Sequence, residues 1–256
     1  MATYKKRGSK PKNKVDKSKL IEAESKTAEV FNTLDTSASK TEQWVVKNQK
    51  YIFILIATFS MFILGFLGFK KYISEPKEAD AMNEMYTAQK YFGEAVRSDS
   101  DSLFKLSVVG DGKNYGTTQI SENYPGTKAG NLSNYQTGMS YLNMQNYAKA
   151  IEYLDKFSSD DEITGPLAKG GIGDAFCQLE QYEEAYDYYV QAFELKTNSF
   201  TTPMFLLKAG QIALKIGETK KALNHFNQIK FDYPDSKEAN NIDVFVGKTK
   251  ALIKQN

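Results

Sequence analysis

One pattern of small and large residues occurs three times in the second half of this 256-residue chain. The copies align on an alanine, and a glycine stands twelve residues before each alanine. The alanines, which lie 35 and 37 residues apart, are Ala150, Ala185 and Ala222, and the glycines are Gly138, Gly173 and Gly210. The remaining apolar positions follow at offsets of three and four, which place them on one face of each of two helices. Each copy is therefore predicted to be a helical hairpin.

The small residues of the pattern have a structural role. Glycine on the first helix and alanine on the second allow the two backbones to approach, and a large residue four positions after the alanine covers the contact. These large residues are Leu154, Tyr189 and Phe226. The predicted turns are Gln145-Asn146, Glu180-Gln181 and Gly217-Glu218. Pro166 and Pro203 are predicted at the first helical position of the second and third copies, where a missing N–H costs nothing. Since each hairpin leaves one side open for the next, the pattern predicts an all-α solenoid.

Residues 131–234 resemble the tetratricopeptide repeat (TPR) family at these Gly, Tyr/Phe, Ala and large apolar positions, and at Tyr147 and Tyr182 after the turns. The third copy departs from the family, since Ala213 and Thr219 stand where aromatic residues are expected. The packing positions implied by the resemblance are Gly138, Tyr141, Ala150, Gly173, Phe176, Ala185, Gly210, Ala222 and Phe226.

The same resemblance implies a concave surface that holds an extended or helical peptide. In the family's register its lining residues are Tyr135, Met139, Leu142, Asp174, Cys177, Gln178, Leu207, Gln211 and Lys215. The carboxylate clamp of cytosolic chaperone partners needs Lys, Asn and Arg, whereas positions 135, 139, 174 and 211 carry Tyr, Met, Asp and Gln. That activity is not expected, and a mixed apolar and uncharged groove fits the loose binding of unfolded segments better.

Two further segments extend the array. The sequence ISENYPGTK at 120–128 matches IKFDYPDSK at 229–237, where the third copy ends. This match predicts a degenerate earlier hairpin with helices at about 77–97 and 102–123, the second broken by VGDGKN. A last helix at about 238–254, with Ile242, Phe245, Val246 and Ile253, is predicted to cap the final open face.

Residues 51–69 form an uncharged run of 19 residues. As a helix the run spans about 28 Å, close to the ~30 Å thickness of a bilayer's hydrocarbon core. Lysines flank both ends, and Trp44, Tyr51 and Tyr72 stand where an aromatic belt is expected. A buried core helix and a cleaved signal peptide fit this length and position less well. With no ionisable residue inside it, the run is interpreted as an anchor rather than an ion path.

The segment before the anchor is basic. Residues 1–50 carry 12 Lys/Arg against 6 Asp/Glu, and the nine basic residues at 5–26 favour a cytoplasmic N-terminus, although the counts next to the span are equal. Residues 1–19 are predicted to be disordered, and residues 20–34 a short amphipathic helix. Candidate contacts to anionic lipid or ribosomal RNA are Lys5, Lys6, Arg7, Lys10, Lys12 and Lys14. A solvated tail is the alternative, and no DNA binding is expected.

The sequence offers no catalytic or cofactor site. Cys177 is the only Cys, so it forms no internal disulfide. His225 is the only His, and one Cys with one His cannot fill a four-coordinate zinc or iron–sulfur site. The run Gly170-Gly171-Ile172-Gly173 lacks the spacing and the preceding strand of a dinucleotide fingerprint. Neither a catalytic residue nor a cofactor is predicted, and the chain is not expected to be an enzyme.

The layout as a whole is similar to that of the YfgM-like family, ancillary subunits of the SecYEG translocon in bacterial envelopes. The boundaries are a basic arm at 1–40, a span with flanks at 41–74, a degenerate repeat at 75–128, three repeats at 129–237 and a cap at 238–256. The resemblance implies a single-pass inner-membrane protein whose periplasmic domain contacts Sec translocon subunits, folding factors or exported polypeptides. A structural scaffold of another envelope machine, for secretion, gliding or division, is the alternative.

Overall fold

The computed structural model describes residues 14–255, and within that range the chain is helical, with no strand beyond one isolated bridge between Gly110 and Tyr115. The predicted anionic contacts at Lys5, Lys6, Arg7, Lys10 and Lys12 lie outside the described residues, as does the side chain of Lys14. The chain divides into two compact units, residues 1–69 and 70–256. The all-α class is thereby confirmed.

In the first unit, one helix, α1 (Lys14–Phe69), includes the predicted short helix at 20–34 and also residues 14–19, for which the sequence predicts disorder. Residues 1–13 of that predicted disordered segment lie outside the described residues. Its backbone is uninterrupted because residues 14–50 contain neither glycine nor proline. Among the described residues, one helical stretch is long and apolar enough to cross a membrane; it lies within Thr41–Ser98, and its best window has a mean hydropathy of 2.5 with no side chain buried. A π-helical turn, Lys70–Ser74, begins the second unit.

The second unit opens with the segment that the sequence predicts to be a degenerate repeat, and it forms three helices: α2 (Glu75–Ser98), α3 (Asp101–Val109) and α4 (Thr117–Asn123). The break between α3 and α4 is a tight loop, in which Gly110 has a φ of +83° and a Cβ on Gly116 would lie 2.2 Å from the Val108 carbonyl oxygen. The Asp111 carboxylate accepts N–H bonds from Asn114 and, to a smaller effect, from Lys113, and these bonds lower the pKa of this carboxyl.

Three hairpins follow, and they end their first helices in the same way. The hairpins are α5 (Lys128–Asn143) with α6 (Tyr147–Lys156), α7 (Thr164–Gln178) with α8 (Tyr182–Leu195), and α9 (Thr201–Lys215) with α10 (Thr219–Asp232). Gln145, Glu180 and Gly217 adopt φ values of +59°, +60° and +83°. In each turn the next N–H bonds back five residues, as from Asn146 to the Tyr141 carbonyl at 2.8 Å, which is a Schellman motif.

The prolines lie deeper in their helices than predicted. Pro166 and Pro203 occupy the third position of α7 and α9 rather than the first. Proline is tolerated at the third position for the same reason as at the first: the first four N–H groups of a helix have no intrahelical acceptor.

Glycines receive the large side chains of neighbouring helices. A Cβ on Gly138 would lie 2.5 Å from Leu154 Cγ; the corresponding distances are 2.7 Å between Gly173 and Tyr189 Cδ1 and 2.4 Å between Gly210 and Phe226 Cε1. Those pairs lie within one hairpin. Between hairpins, a Cβ on Gly170 would lie 1.9 Å from Phe205 Cε1. Because real carbon atoms never approach so closely, glycine is the residue that lets these helices pack.

The array ends in a 3₁₀ turn, Lys237–Asn241, followed by α11 (Ile242–Gln255), where the sequence predicts a single helix from 238. Ile242 and Val246 are buried against α10, and the Phe245 ring lies 5.2 Å from that of Phe226. At the other end, the Glu78 carboxylate of α2 accepts the N–H bonds of Lys128 and Ala129 and thereby caps α5.

Candidate functional site: the face formed by the first helices

The first helices of the hairpins, α5, α7 and α9, pack against each other in sequence, so their uncovered residues share one face. Six of the nine predicted lining residues divide into two groups on this face. Tyr135, Met139 and Leu207 are partly buried in core contacts; the Tyr135 ring, for example, lies 5.2 Å from the Phe157 ring. Gln178, Gln211 and Lys215 are exposed.

A cleft of about 430 Å³ opens on this face between α5, α7 and α9. Its lining residues are Leu142, Asn143, Gln145, Tyr147, Asp174, Cys177, Gln178, Tyr189 and Lys208. Four of them, at positions 142, 174, 177 and 178, belong to the predicted groove. This cleft is termed the groove. Polar side chains predominate on its walls, whereas the Leu142 side chain contributes an apolar surface.

An ion pair between α7 and α9 occupies the wall of the groove. The Lys208 ammonium donates to both Asp174 carboxylate oxygens, at 2.6 and 2.8 Å, and the Tyr189 hydroxyl donates to the same carboxylate at 2.7 Å. Burial and the Asp174 charge raise the pKa of Tyr189, so its hydroxyl stays protonated. Since the charges of Asp174 and Lys208 neutralise each other, the groove presents hydrogen-bonding groups rather than a net charge at this point.

Sequence reasoning missed five of the groove residues: Asn143, Gln145, Tyr147, Tyr189 and Lys208. Lys208 stands two residues before Gly210, at the position that Gln136 and Gly171 occupy in the other copies. Because those two residues are buried, that register gave no sign that Lys208 reaches the open face. The signal that could have found it is charge: Asp174 is the lone acidic residue in α7, and a partner on the adjacent first helix was to be expected.

Lys215 ends α9 at the edge of this face. Its ammonium donates to the Tyr182 hydroxyl at 2.7 Å and lies 3.9 Å from the centre of that ring. This hydrogen bond raises the pKa of Lys215. The Lys215 side chain is consequently held against α8, and the exposed amides of Gln178 and Gln211 are left as the adaptable groups on the face.

The residues with catalytic potential have packing roles. His225 Nε2 lies 3.0 Å from the Tyr186 hydroxyl, and its ring meets Phe193 edge-on at 5.3 Å. Burial, and then the nearby Lys221 charge, lower the pKa of His225. Cys177 is half-buried beside Tyr189. Within residues 14–255, no group of three His, Cys, Asp or Glu side chains forms a metal site.

Family models described as tetratricopeptide repeats match residues 133–161, 168–199 and 205–236. The matches fall on α5–α6, α7–α8 and α9–α10 in turn. No curated protein sequence matches the chain. Two crystal structures of nearly identical TPR-like repeats, from a kinesin light chain of Podosopora anserina, are similar at 10% identity, with TM-scores of 0.49 and 0.48, over 70% of this chain and 89% of theirs. Three tetratricopeptide repeats, a protein–protein interaction module, are therefore present between residues 133 and 236.

Proposed function

We propose that the groove binds segments of partner proteins while α1 anchors the chain in a bacterial inner membrane, with the repeats on the periplasmic side. The observation that carries this proposal is the groove itself: an open cleft of about 430 Å³ on the first-helix face of a repeat module that serves protein binding. Its neutral, hydrogen-bonding walls suit a polypeptide backbone more than a charged small molecule.

The proposed host is the Sec translocon, with the chain as an ancillary subunit that meets exported polypeptides or periplasmic folding factors. Support comes from the layout: a basic N-terminal segment, one apolar helix and then a repeat array. Exported chains emerge unfolded, and a groove lined by the adaptable amide of Gln178, with that of Gln211 exposed on the same face, can bind many sequences. A scaffold of another envelope complex would use the same face for one fixed partner.

Site-specific photocrosslinking of the full chain in native membranes tests this function. A photoreactive residue at Gln178 lies on the groove, and one at Glu184 lies on the exposed side of α8 as a matched control. We expect crosslinks from position 178 and few from 184, to newly exported chains and translocon subunits. Equal yields at both positions would contradict groove binding. Crosslinks only to subunits of another envelope complex would contradict the Sec assignment.

Orientation has its own test. Protease added to cells with a permeabilised outer membrane is expected to digest the repeat domain, because that domain is proposed to face the periplasm. Survival of an intact repeat domain would reverse the proposed topology.

A further inference from the structure

A second, smaller cavity lies between α3 and the C-terminal end of α5. The groove opens on the α7 side of α5, whereas this cavity opens on the α3 side, and the two have no lining residue in common. Its volume is about 260 Å³, and its lining residues are Lys105, Val108, Val109, Tyr141, Met144 and Asn146. This cavity is termed the α3–α5 pocket.

Most of the wall of the α3–α5 pocket is apolar. Val108 is buried at its base, whereas Val109 beside it is 53% exposed. Tyr141 and Met144, which α5 contributes, are half-buried. Pockets that hold a drug-sized molecule have volumes of about 300–1,000 Å³, so this one is better matched to a single large apolar side chain. Side chains of that kind, seated in a pocket, supply much of the binding energy of protein interfaces.

Two lysines from different helices border this apolar wall. Lys105 of α3 lines the pocket, and the Lys149 ammonium of α6 lies 5.0 Å from the centre of the Tyr141 ring. Neither lysine has an ion-pair partner among the side chains that the structure describes. Glu152 of α6 pairs with Lys156 instead, at 2.7 Å. The two positive charges are therefore available to a ligand.

The N-terminus of α6 adds to this positive potential. Asn146, which lines the pocket, is the N-cap of α6, and its side chain accepts an N–H bond from Lys149. The first turn of α6 contains no acidic residue, whereas that of α8 contains Glu183 and Glu184. Because the partial positive charge of a helix N-terminus stabilises nearby anions, it acts in the same direction as the two lysines.

We propose that the α3–α5 pocket binds an acidic segment of a partner protein, with one large apolar side chain of that segment inside the pocket. The positive charges lie on two sides of the pocket, Lys105 on α3 and Lys149 on α6, so carboxylates before and after the apolar residue can each meet one. A C-terminal residue would supply a carboxylate on one side only, which favours an internal segment. Because the pocket is separate from the groove, the proposal is independent of groove binding.

Fluorescence anisotropy with labelled peptides tests this proposal. The full chain is placed in nanodiscs of phosphatidylcholine, whose lipids carry no net charge that would attract or repel a peptide. The probe peptide has the sequence DDFDD, and its matched controls are DDADD, without the apolar side chain, and KKFKK, with the opposite charge. We expect the probe to bind about tenfold more tightly than either control. Binding of either control as tight as that of the probe would overturn the proposal.

A substitution that occupies the pocket locates the binding site. Val109→Trp places a large side chain at the pocket and should weaken binding of the DDFDD probe about tenfold. Val244→Trp is the matched control, since Val244 is 69% exposed on α11, and it should leave the affinity unchanged. Equal effects of the two substitutions would overturn the proposal. Weaker binding to a Gln178→Leu variant would assign the peptide to the groove and overturn it as well.

Charge reversal separates recognition from misfolding. Lys105→Glu and Lys149→Glu should each weaken binding of the DDFDD probe, whereas Lys250→Glu, at an exposed position of α11, should not. The double variant Lys105→Glu, Lys149→Glu should bind KKFKK more tightly than the unsubstituted chain does. A misfolded protein would not gain this affinity, so the gain would support charge recognition at the pocket. A double variant that prefers DDFDD to KKFKK would refute the proposal.

Discussion

Two regions of the repeat array are held together by different chemistry. Where α5 meets α3 and α4, buried hydroxyls face each other: Thr137 donates to Thr117 at 2.6 Å, and the Ser107 and Ser140 oxygens are 3.4 Å apart. Where α7 and α8 meet α9, apolar and aromatic contacts predominate beside the ion pair of Asp174 and Lys208, with Phe205 buried beside Gly170 and its ring 6.3 Å from that of Tyr189.

The difference shows that one solenoid arrangement tolerates two kinds of packing with different strength. Aromatic rings contribute large buried areas, whereas a buried hydroxyl pair contributes about 1 kcal/mol net. The Ser133 and Gln136 side chains of α5 each leave a buried oxygen without a partner among the described residues. We therefore expect the polar contacts of α5 to open before the aromatic contacts of α7–α9.

Gly170→Ala should change the free energy of unfolding more than any other substitution proposed here, because it disrupts the aromatic packing of α7–α9. The added methyl would lie 1.9 Å from the Phe205 ring, and overpacking of this severity is expected to lower the free energy of unfolding by about 3 kcal/mol. The control is Gly247→Ala in α11, where a Cβ meets nothing and helix propensity predicts a gain of up to about 1 kcal/mol. Chemical denaturation of the full chain in detergent measures both. Similar unfolding midpoints for the two variants would refute glycine-based packing.

Two serine substitutions in α5 test the hydroxyl contacts of the region that is expected to be weaker. Ser133→Ala removes a buried hydroxyl that has no partner among residues 14–255, and should raise the free energy of unfolding by about 1 kcal/mol. Ser140→Ala removes the partner of Ser107, and should lower it by about 1 kcal/mol. The same denaturation assay compares the two variants. Shifts of the same sign would show that hydroxyl pairing does not determine the stability of the α5 contacts.

The hairpin turns test a feature that both regions share. Gln145 and Glu180 adopt the left-handed conformation that Gly217 adopts without strain. Gln145→Gly and Glu180→Gly should each stabilise the array by about 0.5–1 kcal/mol, whereas Gly217→Ala should destabilise it by about 1 kcal/mol. Thermal unfolding temperatures of the three variants provide the measurement. Stabilisation by Gly217→Ala would show that strain in the turn is negligible.

His225 gives the aromatic region a dependence on pH. Burial lowers its pKa in the folded state, so the unfolded chain takes up a proton first as the pH falls. The stability that neutral His225 contributes to the folded state is therefore fully present above about pH 6.5, and it is lost as the pH falls below that value. We expect His225→Gln to lose less thermal stability than the unsubstituted chain between pH 7.5 and pH 5.5. An unchanged pH profile would mean that His225 titrates alike in both states.

Much of this architecture could be predicted from sequence because helical packing is periodic. The twelve-residue offset from Gly138 to Ala150 recurs in each copy, and it predicted hairpins and turns where the structure has them. Contacts between different repeats have no such offset. The structure shows why Gly170, Gly171 and Gly173 lie together: their neighbours are Phe205 of the next hairpin, Leu154 of the previous one and Tyr189 of their own.

Two other features depend on which helices are neighbours, although the lone acidic residue of α7 indicates that Asp174 needs a basic partner. The pair of Asp174 and Lys208 joins residues 34 positions apart, and only the stacking of α7 on α9 brings them together. The polar character of the α5 contacts depends on which neighbours its small hydroxyl residues meet, as Thr137 meets Thr117. Pattern alone does not distinguish a buried serine or threonine from an exposed one.

Native-state hydrogen exchange of the full chain tests the central claim, that the packing of α7–α9 is strong and that of α5 against α3 and α4 weak. Amides in α7 and α9 should exchange last, at rates set by unfolding of the whole array, while those in α3 and α4 exchange earlier. In the Gly170→Ala variant, the exchange rates of amides in α7 and α9 should rise toward those in α3 and α4. If α3 and α4 are protected as strongly as α7 and α9 in the unsubstituted chain, the two regions are equally stable and the account is wrong.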